Sequence, residues 1–321
     1  MLLEMLEYMR PEGSDTQKEF CSRYLKPIMG DPDQWGNYVH IIGDKPNLAF
    51  MAHHDTVHNT DGIQHLMVDK LNYVRSTANC LGADCTTGVW LILEMIKAGV
   101  EGVYVVHAGE EIGCVGSRAL VGSNPEWLSW LSAAISFDRR GTDSIITHQM
   151  GQRTASDVFA RSLAAALQLD MEPDDGGSYT DSNEYADIVS ECTNISVGYF
   201  KAHTKDESQD IDFAYQLRAA LLSADFSKLV FKRDPSVVEY ADTWGVRSWA
   251  YSQTRRFYSS MYGNDDADDY RNGPTPLDDL AEVVSENPYR VAYLLQQLGY
   301  DAYDVLDILE DDEYSERAIG F

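Results

Sequence analysis

NLAFMAHHDTVH, residues 47–58, opens as an apolar run and closes on three histidines and an aspartate. Residues 47–53 are apolar on both faces of an extended chain, the pattern of a strand buried in a sheet that is covered on both sides. His53 and Asp55 are two apart and share a face. Asp55 can therefore accept the second ring N–H of a metal-bound His53. Standing alone, the pair reads more often as a polar strand end.

Runs of the same kind recur outward from this stretch. NYVHII (37–42), VYVVHA (103–108), AAISFD (133–138), SIITH (144–148) and NISVGYF (194–200) are predicted strands, each bounded by turn residues. Apolar residues at three- and four-residue spacing predict helices over 86–98, 154–169 and 209–224. HLMVDKLNYVRS (65–76) predicts a hairpin turning at Asp69–Lys70. Strands alternating with helices predict an α/β fold, a three-layer sandwich around a mixed, largely parallel central sheet.

Four more segments carry polar residues at predicted strand or helix ends. LGADCTTG places Asp84 at a turn before a helix, where a carboxylate can bridge two cations or simply cap the helix. VVHAGEEIGCVGS sets Glu110 and Glu111 side by side after a buried strand, which is costly unless a cation or a shared proton compensates. ISFDRRG closes a strand on Asp138, and SVGYFKAHTKDE places His203 after another. Singly, each has an ordinary reading as a cap, an ion-pair partner or a structural histidine. Their conjunction in one α/β chain is harder to assemble by accident.

The ordered set His-x-Asp, Gly-x-Asp, Glu-Glu, Asp, His resembles the co-catalytic zinc exopeptidases over roughly residues 1–225. The resemblance implies two Zn²⁺ ions, with Co²⁺ or Mn²⁺ as substitutes. His53 and Asp138 would hold one ion, Glu111 and His203 the other, and Asp84 would bridge them. Glu110 would be the general base and Asp55 would orient His53. Branches of this group insert an extra domain either between the third carboxylate and the last histidine or between the first histidine and the bridging aspartate. Here those intervals are 65 and 31 positions, so the chain resembles the lidless, leucyl-aminopeptidase-like branch. It departs from the group at Cys85, where a second aspartate is usual. The metal site is expected to survive that change, with the local turn altered and a soft donor as the alternative role of the thiol.

Composition bounds the function. Lys and Arg number 25 against 52 Asp and Glu, a net charge of −27. Nucleic-acid binders cluster basic residues to neutralise phosphates, and no such cluster occurs, so nucleic acid is excluded as a partner. No apolar run approaches the roughly 18–20 residues of a membrane-spanning helix. The start, MLLEMLEYMR, lacks the features of a secretory signal, and five cysteines are too sparse and odd in number for a disulfide framework. The expected location is the cytoplasm.

Residues 1–233 carry 33 acidic and 19 basic residues, while 234–321 carry 19 and 6, so the last quarter holds half of the excess. A domain boundary is therefore expected at Asp234. The catalytic domain would span 1–233. The acidic C-terminal extension would comprise an aromatic stretch (238–262), a linker (263–275) and a small helical module (276–310).

The leading functional expectation is an aminopeptidase acting on short peptides. An amidohydrolase, deacylase or carboxypeptidase using the same metals is the alternative, and a partner-binding role for the acidic extension is the reading of another class. The segment DGGSYTDSNEYADI (175–188) is a candidate specificity loop in which Asp181 or Glu184 could hold a substrate ammonium; Asp181 could equally be a helix cap. His54, His58, His107 and His148 all fall near predicted strand ends, where any could contact substrate and packing is the commoner role for each; His148 is taken as the further candidate substrate contact. A catalytic domain of this kind is compatible with a monomer, and the residues leave the oligomeric state open.

Overall fold

The computed structural model describes residues 1–240; beyond Tyr240 the aromatic stretch, the linker 263–275 and the helical module 276–310 lie outside the described residues. The chain divides into two units, Met1–Ser248 and Trp249–Phe321, and the elements below belong to the first.

The N-terminal segment carries α1 (Leu2–Leu6), β1 (Tyr8–Met9), α2 (Asp15–Phe20) and α3 (Lys26–Met29). Strands β2 (Tyr38–Ile42) and β3 (Leu48–His53) follow, then β4 (Gly62–Ile63), the hairpin of β5 (Leu66–Val68) and β6 (Tyr73–Ser76), and the long helix α4 (Ala83–Ala98). Next come β7 (Gly102–His107), α5 (Val115–Gly122), β8 (Ala133–Arg139), β9 (Ser144–Ile146), β10 (His148–Gln149) and β11 (Gln152–Arg153). Helix α6 (Asp157–Leu167), β12 (Glu172–Asp174), β13 (Glu191–Ser196), β14 (Tyr199–Phe200), β15 (Ser208–Asp210) and α7 (Ile211–Ser223) complete the unit.

Seven strands form the central sheet in the order β12-β9-β13-β8-β3-β7-β2. Pairing is parallel except at β2–β7 and β9–β13, so the sheet is mixed and largely parallel, as the alternation of elements predicts. Its buried strands alternate between two apolar layers. Leu48, Phe50 and Ala52 of β3 face the larger core together with Tyr104, Val106, Ile135 and Phe137, while Ala49 and Met51 face the smaller one with Val103, Val105 and Ala134. This two-residue alternation is why a run apolar throughout becomes a central strand. Phe50 is fully buried and stacks on Tyr104 and Phe137 at ring distances of 5.5 and 5.8 Å.

Helices α4, α6 and α7 supply the other side of the larger core. Ser156 caps α6 by accepting the Phe159 N–H, and Asp210 caps α7 by accepting the Phe213 N–H. The predicted hairpin closes through Asp69, whose carboxylate accepts the N–H groups of Leu71 and Tyr73. A second, four-stranded sheet, β14-β15-β6-β5, stands beside the central one.

Two predicted strands are divided in the structure. The run 194–200 breaks after Ser196. Gly198 adopts φ +93°, and a Cβ there would meet Phe213 at 2.7 Å, so the chain leaves the central sheet and enters β14 of the second. The run 144–148 ends at Ile146, and His148 begins a separate antiparallel pair with β11.

No additional domain interrupts the described residues between His53 and Asp84 or between Asp138 and His203. Residues beyond 233 continue on the same unit: the Arg233 guanidinium donates to the carbonyls of Arg153, Ala186, Val189 and Ser190, and the Arg153 N–H donates to the Glu239 carbonyl at 2.7 Å.

Candidate metal centre

Parallel register brings the predicted site residues to one edge of the sheet. His53 at the end of β3 stands opposite His107 at the end of β7, so the chain leaving β7 delivers Glu110 and Glu111 beside it. Met51 pairs with Ser136 of β8, which sets Asp138 two residues further along level with His53. Asp84 enters from the start of α4. That helix nominally starts at Ala83, but Asp84 and Cys85 have non-helical dihedrals and the peptide between them is cis. The Asp84 oxygens face His53, His203 and Tyr199 and no side-chain cap bond is made to the helix, so Asp84 is not the helix cap; it is presented by the turn preceding the regular helix at Thr86. Gly82 in that turn has φ +70° and lies where a Cβ would meet His58 at 2.8 Å.

The resulting cluster is tight. Asp84 Oδ1 lies 3.1 Å from His53 Nε2, and Asp84 Oδ2 lies 3.2 Å from His203 Nε2. Asp138 Oδ1 is 3.5 Å and Glu110 Oε2 4.0 Å from His53 Nε2, and Glu111 Oε1 is 3.3 Å from His203 Nε2. His53 Nδ1 faces acceptors, the Asp55 carbonyl at 3.1 Å and its carboxylate at 3.4 Å. Both ring nitrogens thus face acceptors: burial opposes the charged ring, but contacts with Asp138, Asp55 and Asp84 raise His53 well above the ordinary histidine value, and a cation at Nε2 would leave the proton on Nδ1. Asp55 also accepts the backbone N–H groups of Glu110 (3.2 Å) and Glu111 (3.0 Å), so one carboxylate orients the histidine and the Glu-Glu turn together.

Four carboxylates so close together shift one another. Burial, with repulsion from Asp84, raises Asp138 well above the ordinary carboxylate range. Burial also raises Glu110, reinforced by Asp138, Asp181 and Glu111. Asp84 is held well below its usual value: burial opposes the shift, and hydrogen bonds to Asp138, His203 and His53 outweigh it. For His203, burial is likewise outweighed, and contact with Asp84 and Glu111 lifts it to about 11.

The donor set fits divalent metal. Glu111 Oε1 and Asp138 Oδ1 are buried and without a hydrogen-bond partner, which is unfavourable for isolated carboxylates and satisfied by a cation. Ligand atoms of His53, Asp84 and Glu111 all lie within 4.8 Å of one another, as do those of His53, Cys85 and Asp138. Cys85 is fully buried, its thiol donating to the Phe137 carbonyl at 3.0 Å, and burial raises it well above an ordinary thiol. Imidazole and carboxylate together suit Zn²⁺.

The remaining expected residues fall in different places. Asp181 is buried at the first turn of a short 3-10 helix, with Thr180 in the capping position; its Oδ1 has no partner, and its charge is felt by Glu110. Glu184 is on the rim, paired with Arg118 at 3.0 Å and accepting from the Tyr179 hydroxyl at 2.6 Å. His148 hydrogen-bonds Thr147 and lines an open groove with Asp143, Arg153 and Asp174. His54, His58 and His107 are buried in the scaffold, bonded to Gln17 and Gly36, to Thr56 and Gln64, and to Asn37 and Tyr185 respectively.

Sequence reasoning did not single out several residues that touch the cluster or its loops. The Tyr199 hydroxyl is 3.0 Å from both Asp84 Oδ2 and the Asp138 carbonyl, and the Thr180 hydroxyl donates to Asp138 Oδ2 at 2.8 Å. Arg10, wholly buried over the Phe20 ring, donates to the His54 carbonyl and the Thr86 hydroxyl, tying the end of β3 to the first turn of α4. Glu207 accepts from four successive backbone amides at Leu81–Asp84, and burial beside Asp84 pushes its carboxyl up to about 7. The available signal for Glu207 was its place four residues after His203, inside the quoted motif SVGYFKAHTKDE.

An α/β sandwich with imidazoles and carboxylates converging at the carboxyl ends of its strands is a setting suited to a metal-dependent hydrolase. Peptidase family M28 matches residues 37–186, the segment that holds His53, Asp84, Glu110, Glu111 and Asp138, and the chain is a zinc-dependent peptide hydrolase. Among solved structures the fold is similar to a tripeptidase from Staphylococcus aureus, at TM-score 0.57 and 14% identity over 69% of this chain and 95% of that one. It is also similar to the TET1 peptidase of Pyrococcus horikoshii, at TM-score 0.54 and 16% identity over 70% and 100%. Aminopeptidase PepT from Bacillus cereus gives TM-score 0.53 and 13% identity over 69% and 96%. At these identities the likeness is one of fold. No curated protein sequence matches the chain.

Proposed function

We propose that this protein is a metal-dependent aminopeptidase that releases the N-terminal residue of short peptides, with two Zn²⁺ ions per chain. The observation that carries the reading is the split presentation of Asp84, one carboxylate oxygen toward His53 and the other toward His203. His53 and Asp138 would hold one ion, Glu111 and His203 the other, with Asp84 shared. When bound, the ions would lower the pKa of a water and polarise the scissile carbonyl. Glu110, whose own pKa is raised by burial, suits the general base: it takes the proton of the attacking water and returns it to the departing amine. Asp55 fixes the Glu110 backbone for that transfer.

The free amine of the substrate needs an anion, and Asp181 suits that role: burial raises its carboxyl to about 7, and an ammonium beside it would favour the ionised form. Its buried, unpartnered Oδ1 lies close enough to Glu110 for the two charges to interact. Glu184 is already satisfied by Arg118 and Tyr179, and His148 faces a separate groove, so neither receives a substrate role. The peptidase family and the aminopeptidase and tripeptidase likenesses support this reading over a deacylase.

No helix among the described residues is long and apolar enough to cross a membrane. All five cysteines are buried and unpaired, which supports a reducing, cytoplasmic location.

The test is release of free amino acid from matched peptides with free and acetylated N-termini, alongside zinc content. Turnover of free-amine peptides only, with two zincs per chain, is expected. Preference for the acetylated set would replace the reading by a deacylase, and full turnover by Glu110→Gln would remove the assigned base.

A further inference from the structure

Glu207 lies outside the proposed ligand set, yet its carboxylate is the most heavily bonded one beside it. It is buried, and its two oxygens receive four consecutive backbone amides: Oε2 those of Leu81 (2.9 Å) and Gly82 (3.1 Å), Oε1 those of Ala83 (2.9 Å) and Asp84 (3.4 Å). These amides belong to the irregular turn before α4, where Asp84 and Cys85 depart from helical dihedrals. Without regular structure, the turn needs another acceptor to hold its N–H groups.

The position of Glu207 in the chain adds a second constraint. It is four residues after His203, and the Glu207 N–H donates to the Thr204 carbonyl at 3.0 Å, closing a turn between them. Immediately beyond it, β15 pairs with β6, and Gln209 accepts from the Thr87 hydroxyl of α4 at 2.6 Å. His203 itself has φ +62°, a conformation unfavourable for a residue with a Cβ and sustained only by its surroundings. One side chain thus clamps together the two segments that present Asp84 and His203, whose facing atoms stand 3.2 Å apart.

We infer that Glu207 is a positioning residue for the metal centre, holding the Asp84 turn and the His203 arm in register before any metal binds. The inference deepens the two-zinc reading and rests on it. Substituting Gln would put an NH₂ group against amides that now find an oxygen, so at least one pair of donors would lose its acceptor. Outer partners of metal ligands typically govern affinity by about 10–100-fold, and a loss of that size is expected here.

The experiment uses the full chain and zinc alone, titrated against a chelator of known affinity, with amide hydrogen exchange of the metal-free protein read at residues 81–84. Metal-free wild type should already protect these amides. Glu207→Gln should bind zinc about 10–100-fold more weakly, by more than any accompanying fall in melting temperature accounts for. An unchanged zinc affinity in a folded Glu207→Gln protein would reduce the residue to a structural brace and overturn the inference. So would wild-type amides that exchange freely without metal and become protected only on adding zinc, a result that holds even where the variant fails to fold. A wild type that binds no zinc would instead sink the two-metal reading, and the inference with it, before any variant is compared.

Discussion

The two histidines facing Asp84 sit in contrasting surroundings. His53 ends a central strand, its side chain is 1% exposed, and Asp55 holds its far nitrogen. His203 sits on an irregular arm after a two-residue strand of the smaller sheet, with positive φ and a side chain 48% exposed. One half of the centre is therefore built into the core, and the other is placed on the rim by contacts along a short stretch of chain. Rigid placement suits a half proposed to hold a buried cation, and an exposed half would leave room for substrate to approach.

This contrast is most severely tested at the shared residue. Asp84→Ala removes the carboxylate common to both halves and should take turnover to background and zinc below one per chain, read by amino-acid release and elemental analysis. Chelator treatment of wild type should do the same, reversibly. Glu110→Gln should keep both zincs and lower kcat by about 10²–10⁴-fold, because it removes the proton acceptor but none of the proposed ligands.

The halves separate directly when each histidine is cut away. His203→Gly should lose about one zinc and regain part of its activity with added imidazole, since the vacated space opens to solvent. His53→Gly should not be rescued, because the ring it loses is enclosed. Equal rescue of both variants would dissolve the distinction. Asp181→Asn should raise KM for free-amine peptides by about 10–100-fold, the worth of a charge-assisted hydrogen bond of roughly 1.5–3 kcal/mol, with a smaller change in kcat.

The smallest effect concerns histidines that only support the scaffold. Burial lowers His58 to about 4 and His107 to about 3, so the folded state favours their neutral forms. The stability they contribute is present above the ordinary histidine pKa of about 6.5 and is lost as pH falls toward the folded values, at most about 3 kcal/mol for His58. His58→Asn should therefore flatten the fall in melting temperature between pH 7 and 4. A wild-type slope in the variant would assign the acid sensitivity to the cluster instead.

Much of the central sheet was legible because its strands are apolar on both faces. NLAFMAH, VYVVHA and AAISFD contain β3, β7 and β8 almost to the residue. Breaks were less legible. Nothing local in NISVGYF marks the change of sheet after Ser196, which follows from Gly198 packing against Phe213 of α7. The cluster residues stood out because imidazoles and carboxylates at the ends of apolar runs are unusual. Their supports did not: Tyr199, Thr180, Arg10 and Glu207 are ordinary residue types, and each acts on a partner at least 42 positions away.

From sequence alone, hydrophobic periodicity determines the α/β class, and residue chemistry determines that His53, Asp84, Glu110, Glu111, Asp138 and His203 form a candidate set. Which oxygen of Asp84 faces which histidine, which half is enclosed and which residue clamps the two loops were decided only by the fold. The reason is physical: periodicity and side-chain chemistry are properties of short segments, whereas ångström-scale convergence depends on strand register and on long-range hydrogen bonds that form when the whole core closes.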